Sequence, residues 1–212
     1  MKRFLNRADA GRQLADLLSA YRNTNGVVLA VPRGGVPVAC EVALALNLPM
    51  DVVLVKKLGH PLNKEYAIGA VGLNQTFFVP HEGVYDFYLF TEAKKLRQRL
   101  QEMKEKFMGD LEPEELEGKT VIVIDDGVAT GKTLLATLHI LRKSKPDRIV
   151  VAVPVISPSA LRLLAAEADE IIAVLQPEVF HGVGAFYDDF RQLTDKEVVH
   201  CIRQLSALRR TG

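Results

Sequence analysis

Asp125 and Asp126 stand side by side after the apolar run Val121-Ile122-Val123-Ile124, and Gly127-Val128-Ala129-Thr130-Gly131-Lys132-Thr133 follows them. A buried strand over that run puts both carboxylates where open α/β sheets bind ligands, outside the carboxyl end of a strand. The segment behind them holds two glycines and the hydroxyls of Thr130 and Thr133, then enters a helical pattern. Its backbone N–H groups and the helix dipole would face an anion, which makes a phosphate cradle. An acid pair in front of that cradle repels a bare phosphate. The ligand that suits both halves offers hydroxyls or a metal to the acids and phosphate to the loop, as a ribose 5-phosphate does. Gly131-Lys132-Thr133 looks like the end of a Walker A loop, but that loop needs four residues between its glycines, and three separate Gly127 from Gly131. A receiver-domain reading fails because such an acid pair would end a first strand. An acidic turn capping a helix is the plain structural alternative.

A second segment has chemistry of the same kind. In Val31-Pro32-Arg33-Gly34-Gly35, two glycines let backbone approach a ligand closely while a guanidinium offers forked hydrogen bonds to phosphate oxygens. Lys56 and Lys57 follow another apolar run, and alternation along a strand allows only one of them to face a site. His60, before Pro61, reads as a phosphate contact or an ordinary loop histidine. Core packing explains most of the aromatics among Phe180, His181, Phe186 and Tyr187.

The elements that must position these groups follow from periodicity. Val27 to Val31, Val52 to Val55, Val121 to Ile124 and Ile149 to Ile156 are rich in β-branched residues and lack polar alternation, as buried parallel strands do, with Ile171 to Leu175 a fifth. Helical faces lie between them: Leu14, Leu17, Leu18 and Tyr21 after the cap Asn6; Val38, Val42 and Leu46; Leu134, Leu138 and Leu141. Ser157-Pro158 opens a helix to about Glu167, and Thr194 with Glu197 forms a capping box before Val198, Ile202 and Leu205. This alternation predicts an α/β fold with a doubly wound, mostly parallel sheet. Residues 74–118 break the rhythm with an aromatic-rich stretch, Phe77 to Phe90, and a charged helix from Thr91 to about Met108 whose apolar side is Leu96, Leu100, Met103 and Phe107. The stretch reads as a flap or subunit contact, and the helix as a solvated face rather than an RNA-binding one.

At 212 residues the chain reads as a single domain, 1–212. It is 48% hydrophobic and 25% charged with net charge +1, so no global field draws it to DNA. Cys40 and Cys201 are far apart in sequence and have no ligand-spaced partners, which predicts buried thiols rather than a disulfide framework or zinc site. No apolar run approaches the roughly 20 residues that span a bilayer, and a cytoplasmic location is expected.

Val121 to Leu134 resembles the phosphoribosyl pyrophosphate motif of type I phosphoribosyltransferases, with Val31 to Gly35 matching the pyrophosphate loop and Lys56-Lys57-Leu58-Gly59 ending the second strand. Lys57-Leu58-Gly59-His60-Pro61, Ala67-Ile68-Gly69-Ala70-Val71 and Phe186-Tyr187-Asp188-Asp189-Phe190 resemble a subgroup whose acceptor is not assigned. The resemblance implies that fold with a hood over residues 175–191. It also implies Mg²⁺ carried mainly by substrate, with Asp125 or Asp126 as candidate ligands, and a non-proline cis peptide at Arg33–Gly34. The implied reaction moves 5-phosphoribosyl from phosphoribosyl pyrophosphate to a nitrogenous, base-like acceptor. Asp125, Asp126, Arg33 and Lys57 would be catalytic; Gly34, Gly35, Gly127, Val128, Ala129, Thr130, Gly131, Lys132 and Thr133 would bind substrate. Hypoxanthine-type members have an acid where this chain has Ala129, which counts against that acceptor. A homodimer is expected. The alternative is a regulatory protein on the same fold that senses phosphoribosyl pyrophosphate or nucleotides, or binds RNA.

Overall fold

The computed structural model describes residues 2–64, 66–79, 81–109 and 111–210. Five strands form a parallel sheet in the order β2-β1-β6-β7-β8: β1 Gly26–Ala30, β2 Met50–Val52, β6 Thr120–Ile124, β7 Arg148–Val155 and β8 Glu170–Leu175. Successive residues of each central strand enter opposite cores. Val28, Ala30, Ile122, Ile124, Val150 and Ala152 pack beneath α1 (Arg7–Leu17), α2 (Gly35–Leu46) and α6 (Asp195–Arg210). Val27, Leu29, Val121, Val123, Val151 and Val153 pack beneath α4 (Lys132–Arg142) and α5 (Pro158–Leu164). Both faces are covered, so the strands need no polar alternation.

The chain caps its helices locally. Asn6 accepts a hydrogen bond from the Asp9 N–H, Ser157 accepts one from Ala160, and Thr194 and Glu197 exchange the reciprocal bonds of a capping box. α1 stops at Leu17 and a 3-10 turn carries Ser19–Tyr21, so Leu17 leaves the buried stripe while Leu14 and Leu18 stay in it. α5 ends at Leu164, short of Glu167, because the Glu167 and Ala168 N–H groups both turn back to the Leu164 carbonyl.

Val52 to Val55 is not one strand. β2 ends at Val52, and β3 (Val55–Gly59) joins β4 (Ala67–Gly72) and β5 (Thr76–Phe78) in a separate antiparallel sheet, order β3-β4-β5. The interruption of the βα rhythm therefore begins at Val55 rather than Asn74. One face of this sheet packs Ala70 on Ala136 and Ile140 of α4. The other packs Leu58, Ile68 and Val71 on Ala93, Leu96 and Leu100 of α3 (Asp86–Phe107). α3 starts five residues before Thr91, so Phe87 and Phe90 lie in its first turns. Cys40 and Cys201 are free, partly exposed thiols on α2 and α6, and Cys40 Sγ donates to Met50 Sδ at 3.9 Å. Their partial exposure corrects the expectation of buried thiols.

Candidate functional site

β1 and β6 are neighbours, but the chain leaves β1 toward β2 on one side and β6 toward β7 on the other. The sheet order reverses between them, which is where open α/β sheets bind ligands. Pro32 to Gly35 follow β1 and Asp125 to Gly131 follow β6, so the fold brings the two motifs together.

The fit between them is close. A Cβ on Gly34 would lie 2.0 Å from Asp126 Oδ2, and one on Gly35 would lie 2.6 Å from the Ile124 carbonyl oxygen and 2.9 Å from Asp125 Cα. Both positions need glycine because backbone passes directly over the acids. The cis peptide of this loop is Pro32–Arg33, one bond earlier than Arg33–Gly34; residue types mark the loop but not which peptide is inverted.

The two acids have different surroundings. Asp125 Oδ1 accepts the Asp126 N–H at 2.8 Å. Burial, and then the charge of Asp126, hold its carboxyl well above the usual carboxylate range. Asp126 Oδ2 accepts Arg7 Nε at 2.8 Å in a largely buried ion pair, and its backbone carbonyl accepts the Tyr187 hydroxyl at 2.6 Å. Arg7 lies 4.1 Å over the Phe190 ring, and its Nη1 donates to the Arg191 carbonyl at 3.0 Å. Burial first, then the Asp126 charge, raises the Tyr187 phenol above its ordinary value, so it stays a donor.

The loop after the acids is fastened at its base. Val128 N–H donates to the Val155 carbonyl, the Ser157 N–H donates to the Val128 carbonyl, and Ser157 Oγ donates to the Ala129 carbonyl. Val128 buries its side chain in the core and spends its N–H and carbonyl on these bonds, so it fastens the loop. A Cβ on Gly127 would meet Val183 at 2.5 Å and Val155 at 2.8 Å. Gly131, with φ of 72°, turns the chain into α4. Ala129, Thr130, Lys132 and Thr133 are exposed around that helix start, where the first N–H groups lack intrahelical partners.

Other candidates are placed less directly. Arg33 Nη1 donates to the Leu193 carbonyl at 3.0 Å and lies 3.8 Å from Asp195, which also binds Lys106. Lys57 pairs with Ala70 on the sheet face toward α4, whereas Lys56 pairs with Val71 on the face toward α3. They lie in β3 of the antiparallel sheet rather than at the end of β2, a correction that follows from the change of sheet after Val52. His60 is occupied locally, its Nδ1 accepting the Leu62 N–H. In the 175–191 segment, Phe186 and Tyr187 are core, packed with Phe4.

Arg7 was not a sequence candidate. Its one local signal is position: a cation in the first turn of α1 opposes the helix dipole and implies a distant partner. Among the described residues, no group of three or more His, Cys, Asp or Glu side chains could hold a metal ion. Asp125, desolvated beside a second carboxylate, is nonetheless a position where a divalent cation arriving with substrate would be favoured.

Residues 4–191 match the family model described as the phosphoribosyl transferase domain. Two Mycobacterium tuberculosis proteins (strains CDC 1551 / Oshkosh and H37Rv), each named "Putative phosphoribosyl transferase", are 39% identical to this chain over 204 residues. The match covers 94% of this chain and 46% of theirs, so the chain spans about half the length of those relatives. The crystal structure of TT1426 from Thermus thermophilus superposes with a TM-score of 0.86 at 40% identity, covering 96% of this chain and 99% of that one. The loops after β1 and β6, with their glycines and acid pair, thus meet in a chain that belongs to the phosphoribosyl transferase family.

Proposed function

We propose that this chain transfers 5-phosphoribosyl from phosphoribosyl pyrophosphate to a nitrogenous acceptor, with Mg²⁺. The observation that carries the reading is the meeting of the Arg33-Gly34-Gly35 loop, the acid pair and the Gly127–Thr133 loop at the reversal of strand order. The acceptor nitrogen attacks the anomeric carbon, the bond from that carbon to the pyrophosphate oxygen breaks with its electron pair, and the acceptor nitrogen loses a proton. The anomeric carbon inverts.

The chain positions and stabilises charge. N–H groups of Gly131 to Thr133 and the hydroxyls of Thr130 and Thr133 anchor the 5-phosphate, which fixes the reacting carbon. Gly34 and Gly35 give the pyrophosphate close backbone, with Arg33 and Lys57 supplying cations as charge develops on it. Mg²⁺, held by the diphosphate and Asp125, would add further positive charge at the leaving group. Asp125 and Asp126 hold the ribose hydroxyls, and Asp125 faces the positive charge of an oxocarbenium-like transition state, the Asp126 charge being paired with Arg7. One carboxylate about 4 Å from such a charge contributes roughly 4 kcal/mol at an effective dielectric near 20, on the order of 10³-fold in rate. Ala129 leaves the loop without an acid to manage a purine proton, so the acceptor is expected outside the hypoxanthine type. The protein is further proposed to work in the cytoplasm as a homodimer.

The test is pyrophosphate release from phosphoribosyl pyrophosphate and Mg²⁺ across a panel of bases and other amines. The reading expects release with at least one acceptor and loss of about 10³-fold in Asp125→Asn. Binding without release on every acceptor would instead favour a sensor on this fold, and Mg²⁺-independent binding unchanged in Asp125→Asn/Asp126→Asn would overturn the site.

A further inference from the structure

Arg7 opens α1, where its charge opposes the helix dipole, and it is buried. Burying a guanidinium is unfavourable unless its surroundings compensate the lost hydration. Each partner named for it belongs to the site or its cover: Asp126 Oδ2, the Phe190 ring and the Arg191 carbonyl. The same Asp126 oxygen, Oδ2, abuts the place a Gly34 side chain would fill, and the Tyr187 hydroxyl donates to the Asp126 carbonyl. The carboxylate therefore meets both one guanidinium and the backbone of the β1 loop.

We propose that Arg7 is a positioning residue, which fixes the Asp126 carboxylate against Gly34 and cancels its charge so that a polyanionic substrate can enter beside it. The inference rests on the phosphoribosyl pyrophosphate reading above. Without Arg7, a free carboxylate stands beside a cradle built for phosphate, and it repels ground state and transition state alike. Loss of that kind raises KM and leaves kcat little changed. A role confined to anchoring α1 predicts something different, since it would act independently of the charge at residue 126.

The experiment compares wild type, Arg7→Gln, Arg7→Lys, Asp126→Asn and Arg7→Gln/Asp126→Asn. It reads binding of phosphoribosyl pyrophosphate with Mg²⁺ by calorimetry, and KM and kcat from pyrophosphate release. Arg7→Gln is expected to weaken binding and raise KM about tenfold with kcat within about threefold. Arg7→Lys should recover most of the affinity. The double variant should bind no more weakly than Asp126→Asn alone, because the charge needing compensation has gone. Unchanged binding in Arg7→Gln, or losses that multiply in the double variant, would overturn the proposal. If wild type itself binds no phosphoribosyl pyrophosphate, the functional reading fails first and this inference falls with it. Should Arg7→Gln lose its cooperative melt, Phe190→Leu takes its place. Removing the ring under the guanidinium should raise KM about threefold, roughly half the tenfold effect in free energy, and unchanged binding there would equally sink the idea.

Discussion

At Gly34 the site depends on a missing side chain: a methyl there would stand 2.0 Å from one Asp126 carboxylate oxygen and 2.5 Å from its carbon. Because Arg7 holds that carboxylate in an ion pair, the loop after β1 has to move instead. Displacement by about 1 Å of groups that hold a reacting pair costs on the order of 100-fold in rate. Gly34→Ala is expected to lower pyrophosphate release by that factor while retaining a cooperative thermal melt; full activity would show that the loop and the acid do not act together. At this scale the sequence was informative wherever residue type and spacing were themselves the signal, as in Asp125-Asp126 and the two glycines after Arg33. It was silent on Arg7, because an arginine at a helix start looks like any surface cation until its partner far along the chain is brought to it. The inverted peptide at Pro32–Arg33 was missed by one bond for the same reason: no residue type encodes it.

Elements were legible where both faces are buried and obscure where partners change. β1, β6, β7 and β8 follow from apolar runs, because helices cover the sheet on both sides. Val52 to Val55 is equally apolar, yet β2 ends and β3 begins inside it, and hydrophobicity does not record which sheet a strand joins. Alternation still placed Lys56 and Lys57 on opposite faces. Asp51 ties the end of β2 to the chain before β6: one carboxylate oxygen accepts the Val52 N–H at 2.6 Å, the other the Glu114 N–H at 3.0 Å. Burial is the largest influence on its carboxyl and raises its pKa, although both hydrogen bonds oppose the shift. A folded pKa above the unfolded one means the native state binds the proton more tightly. That contribution is present in full below the unfolded pKa of about 3.9 and is lost as pH rises through the folded value. Urea unfolding of wild type and Asp51→Asn from pH 4 upward should therefore show wild type losing ground to the variant as pH rises, then a constant difference. A difference independent of pH, or one that moves the other way, would contradict the assignment.

Over the whole molecule, the doubly wound architecture and the meeting of the loops after β1 and β6 are legible in the order of strands, helices and acids. The partner surfaces are not. Tyr85, Phe87 and Phe90 are 79%, 82% and 69% exposed at the start of α3. Phe87 and Phe90 share one side of the helix, three residues apart. Covering each ring stabilises an assembly by about 1.5–3 kcal/mol, and contiguous apolar surface of this kind marks contact sites. The proposed homodimer would use it, since an isologous contact sets the same patch from both copies face to face. Sedimentation velocity over a concentration series should then show a dimer for wild type and a monomer for Phe87→Glu/Phe90→Glu, whose exposed substitutions leave the unfolding midpoint of the monomer and the loops after β1 and β6 unaltered. A dimer that survives both glutamates places the interface elsewhere. A wild-type monomer at every concentration removes the homodimer and leaves the patch to another partner, for which the longer Mycobacterium tuberculosis relatives, with more than half their length outside the matched region, provide a natural comparison.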